Sequence, residues 1–412
     1  MSTELSPAHA PHPFFAIADD CLTIVGRPLT EIAAAVGRTP FYLYAKQYMS
    51  ERVQTLRNVL PPQVHLHYAM KANPMPDVVR HFATLVDGID VASAGEMRVA
   101  LATGIEPERI SFAGPGKSVA DLADAVAAGI IINVESELET ERIGELAART
   151  RRRPKIAVRV NPDFELKTSG MKMSGGPKQF GVDAERVPDL LRRIAQLPLD
   201  FVGFHIFSGS QNLRAEAIVE AQQKSLALGI ELGRSAPAPL RTLNIGGGFG
   251  VPHFPGDKPL DLAPIAANLR ELVSLARVEL PQAQLVLELG RYLVQEAGVY
   301  VCRITDRKVS RGHVFLIVDG GLHHHLAASG NFGQVIRKNY PVVIGNRVRG
   351  TQREVASVVG PLCTPLDLLA DRMDLARAEV GDLVAVLQSG AYGFTASPLG
   401  FLSHPSPAEI LI

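Results

Sequence analysis

At 412 residues the chain is longer than one ordinary domain, so two domains are expected. Hydrophobic residues make up 46% of it, charged residues 20%, and 42 basic side chains balance 42 acidic ones. That composition fits a soluble globular enzyme and leaves no basic excess for nucleic acid or an anionic membrane. Three widely spaced cysteines, Cys21, Cys302 and Cys363, rule out a disulfide framework and a paired-cysteine metal site, and they fit a reducing compartment. The first residues, with Glu4, Pro7 and Pro11, carry neither the basic start nor the apolar run of a secretory signal. No run of eighteen apolar residues exists to span a bilayer. A cytoplasmic enzyme is the expectation.

The first forty residues end in the strand-like Phe41–Tyr44. Short apolar runs then recur at His65–Met70, Ile89–Ser93, Ile110–Gly114, Ile130–Glu135, Ile156–Asn161, Phe201–Phe207, Leu243–Gly248 and Leu285–Leu289. Each is rich in Val, Ile, Leu or Phe, as strands buried on both faces should be. Helical spacing fills most gaps, as in Gly95–Thr103, Val119–Ala128, Leu138–Arg149 and Pro188–Leu197. Eight strand–helix units predict a (β/α)8 barrel over residues 40–290, with an open doubly wound sheet as the alternative that the same alternation permits. The basic triplet Arg151–Arg153 reads as a solvated helix end. After Arg291 the runs Val299–Ile304, Val314–Val318, Pro341–Gly345, Glu354–Val359 and Leu383–Leu387 follow with little helix between them. They predict a C-terminal all-β domain made of residues 291–412 with residues 1–39.

In such a barrel, chemistry sits at the C-terminal ends of the strands, and phosphate binds after strands seven and eight. The seventh run ends in Gly246-Gly247-Gly248-Phe249-Gly250, where the backbone can approach an anion closely; a plain turn explains the same glycines. Lys71 ends the first strand, where desolvation can turn a lysine into a Schiff-base nucleophile; a surface lysine is the plain alternative. Glu288 ends the eighth strand, where an acid can face a pyridine nitrogen and keep it protonated; a salt bridge with Arg291 is the alternative.

In this order the markers resemble those of the fold-type-III pyridoxal-phosphate decarboxylases, the ornithine, arginine and diaminopimelate group. They are Tyr68-Ala69-Met70-Lys71-Ala72-Asn73, Asp90-Val91-Ala92-Ser93-Ala94-Gly95-Glu96, Gly209-Ser210-Gln211, Gly246-Gly247-Gly248-Phe249, Glu288-Leu289-Gly290-Arg291, Asp319-Gly320-Gly321, Gly360-Pro361-Leu362-Cys363 and Gly390-Ala391-Tyr392-Gly393. The resemblance implies pyridoxal 5'-phosphate held by Lys71 as a Schiff base. It implies Ser210, Gly246, Gly247, Gly248, Gly290, Arg291 and Tyr392 around the cofactor, with Glu288 on its ring nitrogen. It further implies a homodimer in which Cys363 enters the partner's site and returns a proton to the substrate carbon. Arg291, Asp319, Thr364, Asp367 and Tyr392 are the implied contacts to a small amino-acid substrate.

Three departures set this chain apart. Where diaminopimelate decarboxylases carry a substrate-reading Arg, Tyr and Glu, an ungapped count finds Ala327, Asn331 and Thr364. Loss of those ion-pairing groups weakens the case for free diaminopimelate, although Asp367 remains as a reader of a distal amine. Phe207 stands where the family places a cofactor-stacking histidine, and a flat ring can still stack there; His205 either takes a related role or fills the core. The His323–His325 triplet, taken as strand residues that alternate faces, predicts no metal site. The segments around Phe207 and Leu326 resemble a branch associated with exosortase and exopolysaccharide clusters, whose relatives act on carrier-tethered aminoacyl groups. Diaminopimelate decarboxylase, a racemase on the same barrel, a cofactor-binding regulator and a non-enzymatic barrel are the competing expectations.

Overall fold

The computed structural model describes residues 15–164, 171–172, 175–254, 256–332 and 338–412. The chain divides into two compact units, each described by itself.

The first unit, Arg52–Gly250 with Leu260–Gly290, is a closed parallel barrel. Its strands are β1 (Val64–Ala69), β2 (Gly88–Val91), β3 (Ile110–Phe112), β4 (Ile131–Val134), β5 (Lys155–Asn161), β6 (Asp200–Ile206), β7 (Thr242–Gly247) and β8 (Gln284–Leu289). Neighbours in sequence are neighbours in the sheet, and β8 pairs with β1 to close it. All eight expected strands are present, and the ring closes, which excludes the open sheet. Helices follow the strands, among them Ala94–Leu101, Val119–Ala128 and Ala215–Gly233. The sequence explains their starts: Ser93, Ser118 and Ser136 each accept a backbone N–H three residues on, which satisfies an otherwise orphaned helix donor. The Arg151–Arg153 triplet does end a helix. Arg151 caps it in the left-handed region, while Arg152 and Arg153 donate to the carbonyls of Ala127 and Leu199.

The second unit gathers the described residues of Met1–Glu51 with Val251–Pro259 and Arg291–Ile412. It therefore takes residues 40–51 and 251–259, which the expected boundaries gave to the barrel. The reason for the first is pairing: Phe41–Tyr44 lies between the long strand Gly298–Ser310 and the terminal strand Ala408–Leu411. One cluster of its core is apolar, with Leu22, Ile24, Leu29, Phe41, Leu43, Val299, Val301 and Leu383 all buried. A strand at Leu368–Ala376 forms the edge of this unit's larger sheet and was not expected from the sequence.

Candidate active site

Lys71 sits in a short 3-10 turn, Met70–Ala72, at the C-terminal end of β1. The surrounding motif builds that turn. The Tyr68 hydroxyl donates to the Asn73 carbonyl across it (2.9 Å), and the Asn73 side chain accepts from the Met75 N–H. Tyr68 is itself clamped by stacking on Phe82 at 4.0 Å. Met70 and Ala72 are buried while Lys71 is exposed, so the turn presents the amine. The Lys71 ammonium lies over the Phe207 ring, 5.6 Å from its centre, a cation–π distance.

Beneath this mouth every barrel strand contributes one polar side chain: His67, Asp90, Ser111, Asn133, Arg159, His205, Asn244 and Glu288. Most of them touch. His67 Nδ1 is 3.0 Å from Asp90 Oδ1, the Ser111 hydroxyl donates to the same oxygen at 2.6 Å, and Asn133 donates to Ser111 at 3.1 Å. On the far side Glu288 Oε2 lies 3.0 Å from His205 Nε2 and accepts from Asn244 at 3.4 Å. Burial pushes the Glu288 carboxyl up, but His205, with Lys71 and Arg159 nearby, outweighs burial and holds it well below the ordinary carboxylate range. Glu288 is thus a fixed buried anion, placed by His205 rather than by a salt bridge to Arg291. Arg159 is anchored by Glu135, which also accepts from the Gly114 and Gly181 backbone N–H groups. A second buried pair, Lys117 with Glu139 at 2.8 Å, completes the rim.

The glycine run is required by crowding. A Cβ on Gly247 would stand 1.9 Å from the Glu288 carbonyl oxygen, and one on Gly248 would stand 2.2 Å from that of Gly209. Gly246 and Gly248 also hold φ near +75° and +73°. The loop is stitched to the Gly209-Ser210-Gln211 segment through Asn212, whose N–H donates to the Gly248 carbonyl and whose carbonyl accepts from Gly250. Ser210 and the three glycines consequently share one loop cluster at the barrel rim. Gly290 is equally tight, its missing Cβ facing the Ala69 carbonyl at 3.0 Å.

The remaining expected residues belong to the β unit. Arg291 lies over the Tyr392 ring at 4.8 Å and donates to Gln295 at 2.8 Å. Cys363 is exposed, with Thr364 beside it half-buried. Asp367 and Asp319 are engaged elsewhere. Both Asp367 oxygens accept backbone N–H groups, from Leu322 (2.6 Å) and Leu362 (2.8 Å). Gly321 and Gly360 are glycines because a Cβ on either would collide with that carboxylate. Asp367 thereby bolts the Asp-Gly-Gly loop to the Gly-Pro-Leu-Cys loop, which is a different task from reading a distal amine. Asp319 accepts from the Thr39 hydroxyl and the Arg303 N–H. Asn331 donates to the Ser329 hydroxyl, and Ala327 is buried.

The histidine triplet is not on a strand, contrary to expectation; His323 and His324 lie in a turn and His325 follows it. His324 faces the Tyr300 hydroxyl and the Pro405 carbonyl, and His325 faces Ser389. Among the described residues no group of three His, Cys, Asp or Glu side chains is placed to hold a metal. No helix among them is long and apolar enough to cross a membrane.

Sequence reasoning named His205 and Glu288 but missed the other six members of the polar ring, and with them Glu135 and Lys117. Its signal was available: at least one polar residue interrupts each apolar run of the barrel.

Residues 46–295 match the model of the pyridoxal-dependent decarboxylase pyridoxal-binding domain. The chain is 39% identical to the L-glutamyl-[BtrI acyl-carrier protein] decarboxylase of Niallia circulans, covering 92% of this chain and 91% of that protein. It is 34% identical to the diaminopimelate decarboxylase of Aquifex aeolicus, over 97% and 93% of the two chains, and further diaminopimelate decarboxylases recur at 30%. A crystal structure of the Helicobacter pylori diaminopimelate decarboxylase complexed with L-lysine superposes with a TM-score of 0.82 at 27% identity, covering 93% of this chain and 94% of that one. The fold and the rim residues define a pyridoxal-phosphate-dependent carboxy-lyase, and the chain belongs to the pyridoxal-dependent decarboxylase family. The residues present fit the cofactor: an exposed amine, a flat ring beside it, a buried fixed anion and a glycine cradle lie on one barrel rim.

Proposed function

We propose that the chain removes the α-carboxylate of an amino acid that carries a second polar group, with diaminopimelate the substrate its relatives support most broadly. The observation that carries the decarboxylase reading is the buried, ionised Glu288 on the same rim as Lys71. An anion facing the ring nitrogen favours an electron sink rather than simple reprotonation, which sets the reading apart from a racemase. Bound pyridoxal phosphate supplies the sink for the electron pair left when carbon dioxide departs. Lys71 holds the cofactor, Phe207 walls its face, and His205 fixes Glu288 against the ring nitrogen. Ser210 and the Gly246–Gly248 amides hold the phosphate together with Arg291 and Tyr392. Cys363 of a second subunit returns the proton to the α-carbon, and Asp367 positions it by tying down the loop that precedes it. A homodimer follows from that role.

A second reading is favoured by a specific observation: the relative at 39% identity acts on a carrier-bound glutamyl group. Ala327, Asn331 and Thr364 leave this chain without the ion-pairing groups that free diaminopimelate needs. An aminoacyl group tethered through its distal carboxylate needs none of them, as expected of the exopolysaccharide-associated branch. Carbon dioxide release by cofactor-loaded protein decides between the readings, with meso-diaminopimelate, lysine, ornithine, arginine and an L-glutamyl thioester formed at the distal carboxylate offered in parallel. Rapid turnover of diaminopimelate alone supports the first reading; turnover of the thioester alone supports the second. Turnover of none, with cofactor bound, refutes both.

A further inference from the structure

Arg291 opens the short helix Arg291–Val294, and Gln295 stands one helical turn further on, so the two side chains share a face. Within the same β unit, the segment Val251–Pro259 brings His253 against that turn. The three side chains form one directed chain of hydrogen bonds. The Val251 carbonyl can only accept, so His253 Nδ1, 2.9 Å away, carries the ring proton and Nε2 is left as an acceptor. The Gln295 amide nitrogen donates to that Nε2. Its amide oxygen is thereby turned towards Arg291 and accepts from Nη1 at 2.8 Å. Gln295 and His253 are both buried. Two anchors fix the far end of the chain. Asp257 Oδ2 accepts the His253 and Phe254 N–H groups, both at 3.0 Å, and the Gln388 amide donates to the Pro252 carbonyl at 2.7 Å. Tyr340 stands edge-on to the His253 ring, with 5.1 Å between centres.

Such a chain orients a cation without neutralising it. An amide oxygen aligns a guanidinium as a carboxylate does, but brings no negative charge. Among the described residues no carboxylate is ion-paired with Arg291, and its buried Nε has no hydrogen-bond partner. The Tyr392 segment is pressed against the same turn, since a Cβ on Gly390 would stand 1.9 Å from the Val294 carbonyl oxygen. The direction of the chain depends on an uncharged His253. A second ring proton would sit on Nε2 and face the Gln295 NH2 group; reversal of the amide would then aim that NH2 group at Arg291, donor against donor. Burial, and after it the Arg291 cation, hold His253 down to about 4 against an ordinary value of 6.5, outweighing the Val251 carbonyl and Asp257.

We infer that Gln295 and His253 are positioning residues that hold Arg291 as an uncompensated cation for the phosphate of the cofactor. The assignment rests on the placing of Arg291 at that phosphate, proposed above.

Binding of pyridoxal 5'-phosphate and of pyridoxal, which lacks the phosphate, to the full chain tests this by visible absorbance. The readout is the ratio of the two dissociation constants, which is independent of turnover. Gln295→Leu and His253→Phe are each expected to lower the advantage of the phosphate about tenfold, the scale of one charge-assisted hydrogen bond, while pyridoxal binds within about twofold of wild type. His253→Gln, whose amide oxygen can accept from Gln295 in place of Nε2, is expected to bring the ratio back to within about threefold of wild type. Equal loss of affinity for both ligands marks a merely structural role and overturns the assignment. So does a ratio that neither Gln295→Leu nor His253→Phe moves, or a His253→Gln ratio as low as that of His253→Phe. Arg291→Gln separates the two levels of the claim. If it leaves the ratio at the wild-type value, the placing of Arg291 fails and the positioning falls with it. If it lowers the ratio while Gln295→Leu and His253→Phe do not, only the positioning assignment fails.

Discussion

Gly247→Ala tests whether the glycine run is required by strand packing. The added methyl would stand 1.9 Å from the Glu288 carbonyl oxygen and 2.8 Å from Leu289 Cδ2. Carbon–oxygen contacts normally stay beyond about 3.3 Å, so β7 and β8 must part locally by roughly 1.4 Å. The nearer obstacle cannot swing away cheaply, because it is backbone in the adjacent barrel strand. Overpacking of this kind costs about 1–3 kcal/mol, and the displaced strand carries Glu288. Thermal unfolding followed by circular dichroism is expected to shift down by several degrees. Retention of the cofactor, followed by its visible absorbance after ultrafiltration, is expected to weaken about tenfold for each 1.4 kcal/mol lost at the site. Gly400→Ala, where a Cβ meets nothing within 4 Å, serves as the control. A Gly247→Ala protein that melts within about 1 °C of wild type and binds cofactor equally well would refute the packing argument.

Glu288→Gln removes the buried anion but keeps its shape; kcat is expected to fall about 10²–10³-fold with the cofactor still bound, read by carbon dioxide release. Asp367→Asn replaces one acceptor oxygen by an NH2 donor that faces a backbone N–H; it is expected to cost about 1–3 kcal/mol in urea unfolding and to lower kcat more than it changes KM, because the Cys363 loop loosens. Burial holds His325 down to about 3 against an ordinary value of 6.5, and the Ala328 N–H donates to its Nδ1. The native state therefore binds fewer protons than the unfolded chain. The His325 contribution is complete above pH 6.5 and is lost as pH falls towards 3, amounting to about 2 kcal/mol at pH 5. Denaturation midpoints between pH 7 and 5 check this, and His325→Gln should flatten the slope. Glu135 behaves likewise at lower pH. Burial raises its carboxyl, but Arg159 and Lys117 outweigh burial and lower it. Its contribution is present above about 4.5 and lost as pH falls further, so Glu135→Gln should unfold less steeply in acid.

Much of the barrel was legible because its strands are buried on both faces and read as short apolar runs, each at the length of one strand. The edge strand Leu368–Ala376 was not, since Asp371 and Arg372 interrupt it, and charged residues with a bulge are how proteins protect a sheet edge. The boundary at residue 40 erred for a different reason. Phe41–Tyr44 reads as a strand, but nothing local reveals that its partners are Ala408–Leu411 and Gly298–Ser310, hundreds of residues away. At the site, Lys71 and Glu288 could be placed from their positions at strand ends. The engagement of Asp367 with Leu322 and Leu362 could not, because it depends on two loops meeting in space. His205 stood open between a site role and the core; it is buried and lies 3.0 Å from Glu288.

The account depends first on Lys71 being the residue that holds the cofactor. Borohydride reduction of the yellow protein, digestion and mass spectrometry test this directly. The account predicts one pyridoxyl group on the peptide containing Lys71, and neither label nor colour in Lys71→Ala. A label on Lys117 or another lysine, or an unlabelled protein that still releases carbon dioxide, would contradict it.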